Sequence, residues 1–413
     1  MYLLITKARG VYFTTKNTIN SDIFGRLLKC NGLFVNREAM RPTYMPEILP
    51  HREKEITSLA SVLVPALRQE TPSNVFIYGK TGTGKTAVTK FVGKELLKKG
   101  RSTGKKVNFI YINCEVVDTQ YRLLQNIANH FIDEWSERVP FTGWPTDEVY
   151  AKLKQMIEME GGVIVIILDE VDKLKGDEAL YNLSRINSDL KNAKVSIVGI
   201  SNDLKFTEFL DPRVKSSLGE ESMIFPPYDA GQLQDILKQR IEIALKDEVI
   251  ESDVIPLCSA LAAQEHGDAR RALELIRVAG EIAEREGDKK IQLKHIDLAN
   301  SKIERDKILD VIESEPKQFQ LALLSMMNLL EKNDKVFTGD VYRNYQELCN
   351  KTHTEILTQR RVSSIISEFD MLGLINAKNI SRGTYGKTRE IRSAIPKQIE
   401  QQAKHILINS LSL

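Results

Sequence analysis

The sequence is short of the residues that build small or metal-stapled folds. It has four cysteines in 413 residues (Cys30, Cys114, Cys258, Cys349), with no C-x-x-C pair, and its six histidines include no H-x-x-x-H pair. This spacing argues against a disulfide scaffold and against a zinc site, and it fits a reducing, intracellular compartment. An excess of one charge is also missing. The 58 Lys/Arg and 56 Asp/Glu leave a net charge of +2, so any nucleic-acid surface has to be a local patch. Long apolar runs are absent as well. The longest, Val163 to Leu168, falls far below the ~20 residues of a membrane span. The opening MYLLITKARGVYF is too short and too broken by charge for a signal peptide. A soluble cytoplasmic protein with no membrane partner is expected. There is no internal repeat and no low-complexity tract.

What is present is an ordinary globular composition, 42% hydrophobic and 28% charged. At roughly 100–200 residues per domain it allows about two to four domains. Residues 1 to about 35 show no clear period and read as a poorly ordered arm. Pro42, Pro46 and Pro50 punctuate an extended lead-in, and Glu53 to Leu67 reads as an amphipathic helix with Pro65 near its end. Strands are expected at Val75–Tyr78, Val107–Asn113, Val163–Leu168 and Val195–Ile200. They alternate with helices at Thr86–Lys99, Tyr121–Arg138 and Asp147–Glu160. That order predicts an α/β domain with a mostly parallel sheet. From Asp229 to Arg305 the period is helical throughout. From about Pro316 a third unit carries helices near Gln318–Glu331, Val341–Asn350 and Gln359–Met371. Two polar strands, Ile375–Ile380 and Thr388–Ser393, follow, joined by SRGTYGK, and a helical tail closes the chain.

Gly79-Lys80-Thr81-Gly82-Thr83-Gly84-Lys85-Thr86, followed by Ala87, fits G-x-x-x-x-G-K-[ST] between a strand and a helix. Its glycines let backbone N–H groups turn toward phosphate oxygens, and the helix N-terminus adds partial positive charge. Lys85 is expected to reach the β- and γ-phosphates of ATP, and Thr86 to ligate Mg²⁺. The run Val163–Leu168 ends in Asp169-Glu170. Asp169 is placed to hold the Mg²⁺ and Glu170 to act as general base on the attacking water. Asp172 reads as a helix-start acid. The strand at Val195 ends in Asn202, an amide that can meet the lytic water or the γ-phosphate.

In that order these features resemble the AAA+ superfamily. The resemblance narrows on Tyr44-Met-Pro-Glu-Ile-Leu-Pro-His51-Arg52-Glu53, Leu210-Asp-Pro-Arg213-Val-Lys-Ser-Ser-Leu, Phe225-Pro-Pro-Tyr228 and Gly267-Asp-Ala-Arg270-Arg-Ala-Leu273. These segments are similar to the archaeal origin-recognition and replication-initiator family, from about residue 40 to about 395. The resemblance implies a P-loop AAA+ core with a parallel sheet (41–228), a helical lid (229–310) and a C-terminal winged-helix domain (311–413); it carries nothing over to the N-terminal arm (1–40), which is set apart by its lack of period. It also implies roles. Asn202 is the first sensor, and Arg270 reaches from the lid to the γ-phosphate, although the residues alone read it as a solvated helix charge. His51 and Arg52 line the adenine pocket, and Tyr228 and Arg240 contact nucleotide at the core–lid junction. Arg213 is either offered to a neighbour's ATP or held in an intramolecular ion pair.

Residues 316–392 hold twelve Lys/Arg against eight Asp/Glu. Three helices followed by a basic hairpin form the winged-helix pattern. Gln359, Arg360 and Arg361 open its recognition helix. Arg382, Tyr385, Lys387 and Arg389 lie in the wing, suited to phosphates or a minor groove. The family also carries a DNA-touching helical insertion, for which Gln120–Phe141 is the candidate segment. The expectation is an ATP- and ADP-binding, Mg²⁺-dependent initiator with weak ATPase activity. Its partners are double-stranded origin DNA, the replicative helicase and paralogous initiator subunits. An ATP-modulated winged-helix transcription regulator and a P-loop signalling ATPase remain the alternatives.

Overall fold

The computed structural model describes residues 32–208, 210–218, 221–381 and 387–413. The chain divides into two compact units, at residues 296 and 297.

The first unit opens on α1 (Glu53–Leu63), β1 (Val75–Tyr78) and α2 (Lys85–Ser102). β2 (Val107–Asn113), α3 (Gln120–His130), α4 (Thr146–Glu160), β3 (Gly162–Asp169) and α5 (Glu178–Arg185) follow. β4 (Ala193–Ser201), α6 (Pro212–Leu218) and β5 (Glu221–Ile224) complete a five-stranded parallel sheet in the order β2-β3-β4-β1-β5. β3 lies inside the sheet between β2 and β4 and every residue from Val163 to Asp169 is buried, which is why it reads as an unbroken apolar run rather than an alternating one. Each fully buried Val, Ile or Leu here stabilises the fold by about 1.5–3 kcal/mol. Layers on both faces supply that burial. Leu123, Leu124, Leu153 and Leu180 pack on one side, and Leu59, Leu63, Val88 and Val92 on the other.

Four helices begin after the sheet: α7 (Ala230–Ala244), α8 (Val254–Gln264), α9 (Ala269–Glu286) and α10 (Leu293–Ser314). α7 starts with a capping box between Asp229 and Gln232. The segment before α1 belongs with these helices. Val35 N–H donates to Ala244 C=O, Leu33 N–H donates to Glu284, and Arg37 pairs with the same carboxylate.

The second unit contains α11 (Lys317–Leu330), β6 (Val336–Phe337), α12 (Thr338–Lys351), α13 (Gln359–Met371), β7 (Ile375–Ser381), β8 (Lys387–Ser393) and α14 (Lys397–Leu411). Its antiparallel sheet runs β6-β8-β7. Val362, Ile365, Ile366 and Phe369 of α13 are fully buried against α11 and α12. No helix among the described residues is long and apolar enough to cross a membrane.

Several boundaries differ from the sequence expectation, each for a local reason. The first α-helix stops at Leu63, and Val64–Arg68 tightens into a 3-10 turn around Pro65, whose missing N–H breaks the α pattern. The expected helix Tyr121–Arg138 ends at His130. A separate short turn covers Trp135–Glu137, because Val139 is tied back to the Asn129 side chain instead.

Candidate functional site

A cavity of about 440 Å³ lies between the P-loop, the strand ends and the lid. The turn after β1 wraps its floor. Gly82 (φ +70°) and Gly84 (φ +89°) adopt left-handed backbone that glycine takes without strain. A Cβ on Gly82 would lie 1.7 Å from Asp268 Oδ1, and one on Gly84 2.7 Å from the Tyr228 hydroxyl. The cradle is therefore closed from the lid side as well as from below. Gly82→Ala is expected to weaken nucleotide affinity on the order of tenfold, the size of a non-glycine left-handed residue. Isothermal titration of the variant checks this, with hydrogen exchange at Ala269 reporting the lid contact.

Lys85 is buried at the head of α2. Its ammonium donates to Gly79 C=O (2.7 Å), Lys80 C=O (2.8 Å) and Asn202 Oδ1 (2.9 Å). Burial, then the nearby Arg270 charge, pushes its pKa down to about 8. Asn202 lines the cavity, and because it accepts through Oδ1 its amide N–H₂ is left as a donor. Between about pH 8 and the ordinary lysine value of 10.5, the folded chain binds fewer protons here than the unfolded one. Fold stability from this group therefore rises with pH in that window. Phosphate binding needs the ammonium, so the opposite trend is expected for nucleotide. Affinity should fall as pH rises past about 8, approaching tenfold per unit, in a titration series from pH 7 to 9.5.

Asp169 receives two hydroxyls on Oδ2, from Thr86 (2.8 Å) and Tyr111 (2.7 Å). A hydroxyl and a carboxylate converging at this distance fit a hard divalent cation with oxygen ligands. Glu170 follows with φ +54°, a conformation uncommon for a side-chain-bearing residue, which turns its carboxylate into the cavity lining. Burial first, then the Glu115 carboxylate and Asp169, raise its pKa. Behind the pair, burial and then Asp169 push the Cys114 thiol up to about 12, so it stays a neutral packing group.

The lid supplies the opposite wall. Asp268 caps α9 by accepting from the Arg270 N–H (2.7 Å) and the Arg271 N–H (3.4 Å). Ala269 N–H donates to Gly82 C=O (3.2 Å), so this helix begins on the P-loop itself. Arg270 lines the cavity, whereas Arg271 pairs with Glu265.

The other expected residues divide. Thr81, Gly82, Thr83, Gly84, Thr86, Ala87, Tyr228 and Arg240 line the cavity. Lys80 faces His266 (3.2 Å). Arg52, 2% exposed, donates to Thr83 C=O and Pro226 C=O and stacks on Tyr228 at 3.9 Å. It braces the P-loop from behind and is not among the lining residues. His51 pairs with Asp235 on α7. Arg240 holds the lead-in by donating to Ala39 C=O (3.0 Å) and Tyr44 C=O (3.1 Å). Arg213 is exposed and paired with Asp211 at 2.9 Å. Sequence reasoning missed Tyr44, Met45 and Pro46, which line the cavity, and also Tyr111. The Pro-rich lead-in was a signal for the first three. Tyr111 is identifiable only once β2 is registered beside β3.

In the second unit a groove of about 640 Å³ runs between α13 and the hairpin. It is lined by Gln359, Arg360, Ser363, Ser364, Asn379 and Thr388, among others. Arg360 is exposed. Arg361 turns away, toward Glu368 (3.4 Å) and the Phe319 ring. Arg389 donates to Ser363 C=O (3.1 Å), to the Ser367 hydroxyl and to Asn379 (3.2 Å). Arg382 and Tyr385 lie outside the described residues, as does the Lys387 side chain. In the segment Gln120–Phe141, Trp135 and Phe141 are 76% and 70% exposed.

A helical lid that seats its own first turn on a P-loop places the chain in the AAA+ class, and sequence-family comparison agrees. An AAA domain matches residues 68–205, the Cdc6 AAA+ ATPase-type lid domain residues 234–301, and the CDC6 C-terminal winged helix domain residues 310–403. The chain is 55% identical over 390 residues to ORC1-type DNA replication protein 1 of Methanosarcina acetivorans, covering 93% of each. It is 58% identical over 374 residues to the ORC1-type DNA replication protein of Pyrococcus abyssi, covering 90% of this chain and 89% of that one. The structure of the Aeropyrum pernix ORC1 protein in complex with DNA superposes with a TM-score of 0.80 at 46% identity, covering 91% of this chain and 97% of that one. The protein belongs to the ORC1-type DNA replication protein family.

Proposed function

We propose that this chain is an ATP-switched initiator of DNA replication. It binds duplex origin DNA through its winged helix and AAA+ core, and helps recruit the replicative helicase. The observation that carries the reading is the Ala269–Gly82 hydrogen bond. It puts Lys85 and Asn202 of the core and Arg270 of the lid on one cavity, so a ligand held there biases the lid.

The P-loop amides and Lys85 bind the phosphates of ATP. Arg270 and the Asn202 amide read the γ-phosphate, so ATP and ADP favour different lid positions. Glu170 accepts the proton of the attacking water, its raised pKa bringing it nearer the operating pH. Thr86 and Asp169 hold Mg²⁺, which when bound neutralises charge on the phosphates. Tyr228 and the Tyr44–Pro46 wall enclose the base, with Arg52 and Arg240 bracing that wall. The Arg213–Asp211 pair is exposed and therefore easily exchanged, which leaves Arg213 available to an ATP on a neighbouring subunit. Slow hydrolysis resets the switch.

On DNA, Gln359 and Arg360 face the α13 groove and are suited to base edges or phosphates. The relative from Aeropyrum pernix is seen with DNA, and the exposed Trp135–Phe141 segment supports a second contact from the core. Anisotropy with duplexes from the host's intergenic regions, with ATP or ADP, tests the reading. Sequence-selective binding that responds to nucleotide in wild type and loses that response in Lys85→Ala is expected. Unselective binding indifferent to nucleotide would favour an ATP-driven protein-assembly role, and helicase co-purification separates an initiator from a transcription regulator.

A further inference from the structure

Asn202 lies just beyond the region that the sheet fixes. The last ladder pairs at this end of β4 are Asp169 with Ile200 and Tyr78 with Ser201, so strand pairing does not hold the next residue. Its side chain, however, has to be placed within a hydrogen bond's tolerance to tell a γ-phosphate from its absence. Asp172 supplies the missing restraint. It sits in the 3-10 turn Val171–Lys173 that follows Glu170. Its Oδ1 accepts from the fully buried Ser201 hydroxyl (2.9 Å) and from the Asn202 backbone N–H (3.2 Å). On its other side Asn202 accepts from Lys85. The amide is thus clamped between the P-loop lysine and an acid from the strand-end turn. Asp172 does stand in the first turn of that short 3-10 helix, and its carboxylate is spent on the end of β4 as well.

We infer that Asp172 is the positioning residue of the γ-phosphate sensor: it fixes Asn202 and ties that sensor to the turn bearing Asp169 and Glu170. The inference rests on the nucleotide reading of this cavity. An interaction through a hydrogen bond to a charged group sets the scale of its effect, about tenfold in an equilibrium. Removing the carboxylate should lower ATP affinity relative to ADP without touching the P-loop's hold on the shared phosphates.

The test is equilibrium titration of the full chain with fluorescent ATP and ADP analogues, for wild type, Asn202→Ala, Asp172→Ala, Asp172→Asn and Asn202→Ala/Asp172→Ala. Asp172→Ala is expected to move the ATP-to-ADP affinity ratio about tenfold toward ADP, to match Asn202→Ala, and to add nothing to it in the double variant. Asp172→Asn keeps the accepting oxygen and is expected to restore most of the wild-type ratio, which a loss of packing alone would not explain. Ser201→Ala, which removes one of the two donors, should give an intermediate shift and serves if Asp172→Ala does not fold. A wild-type ratio in both Asp172→Ala and Ser201→Ala, beside a shifted one in Asn202→Ala, overturns this inference and leaves the nucleotide reading intact. A wild-type ratio in Asn202→Ala overturns the sensor reading and the inference with it.

Discussion

Glu170→Gln is expected to lower ATP turnover about a hundredfold or more while ATP affinity stays within about twofold, the range associated with loss of a positioned general base. Glutamine keeps the size and hydrogen-bonding outline of the side chain but cannot take a proton. The binding elements, the P-loop, Lys85 and the lid arginine, are all separate from it. The substitution also removes a negative charge that stands beside Asp169 and Glu115, so ATP binding should if anything tighten. Single-turnover phosphate release and equilibrium binding, measured on one preparation, separate the two effects. Turnover at the wild-type rate would remove Glu170 from the mechanism. A parallel loss of binding would make it a structural residue.

The contrast between Glu170 and Asp172 shows where the sequence is informative. β1, the P-loop and β3 are legible because each carries a local rule. Val75–Tyr78 and Val163–Leu168 are apolar runs of strand length, and the glycine spacing has one good mechanical use. Val107–Asn113 matches the observed strand to the residue. β5 was not read, since Glu221–Ile224 is short and largely exposed and owes its strand state to pairing with β1. Residues acting through distant partners were equally hidden. Arg52 looks like a pocket residue by position and proves to be a brace with 2% exposure. Tyr111 reaches Asp169 from a neighbouring strand, and Asp172, in the turn after β3, reaches the end of the adjacent β4. Their partners are 58, 29 and 30 residues away in sequence, and no local periodicity encodes such contacts. The lid helix was legible in the helical period after Asp229, and the structure starts it at Ala269 with Asp268 as its cap. That the same cap rests on Gly82 was not, because it depends on how the lid closes.

The winged-helix unit yields the second large effect. Arg389→Ala is expected to weaken specific DNA binding about thirtyfold without changing its salt dependence. The guanidinium donates to Ser363 C=O, to Ser367 and to Asn379, which join α13 to the β7–β8 hairpin at one angle. Loss of these bonds leaves a wing that has to be ordered at the moment of binding. That cost, about 2 kcal/mol for a charge-assisted set, appears directly in the affinity. It carries no counterions with it. Arg360→Ala provides the contrast. This side chain is exposed at the groove, and if it meets a phosphate its removal should make the slope of log K against log salt shallower by about 0.9. Anisotropy across a salt series for both variants, with a specific and an unrelated duplex, reads slope and selectivity together. For Arg389→Ala, an unchanged slope with reduced preference for the specific duplex marks a residue that aims the wing. A slope shallower by about 0.9, with the preference intact, would instead place Arg389 on a phosphate and mean that the contacts to Ser363 and Ser367 give way when DNA binds.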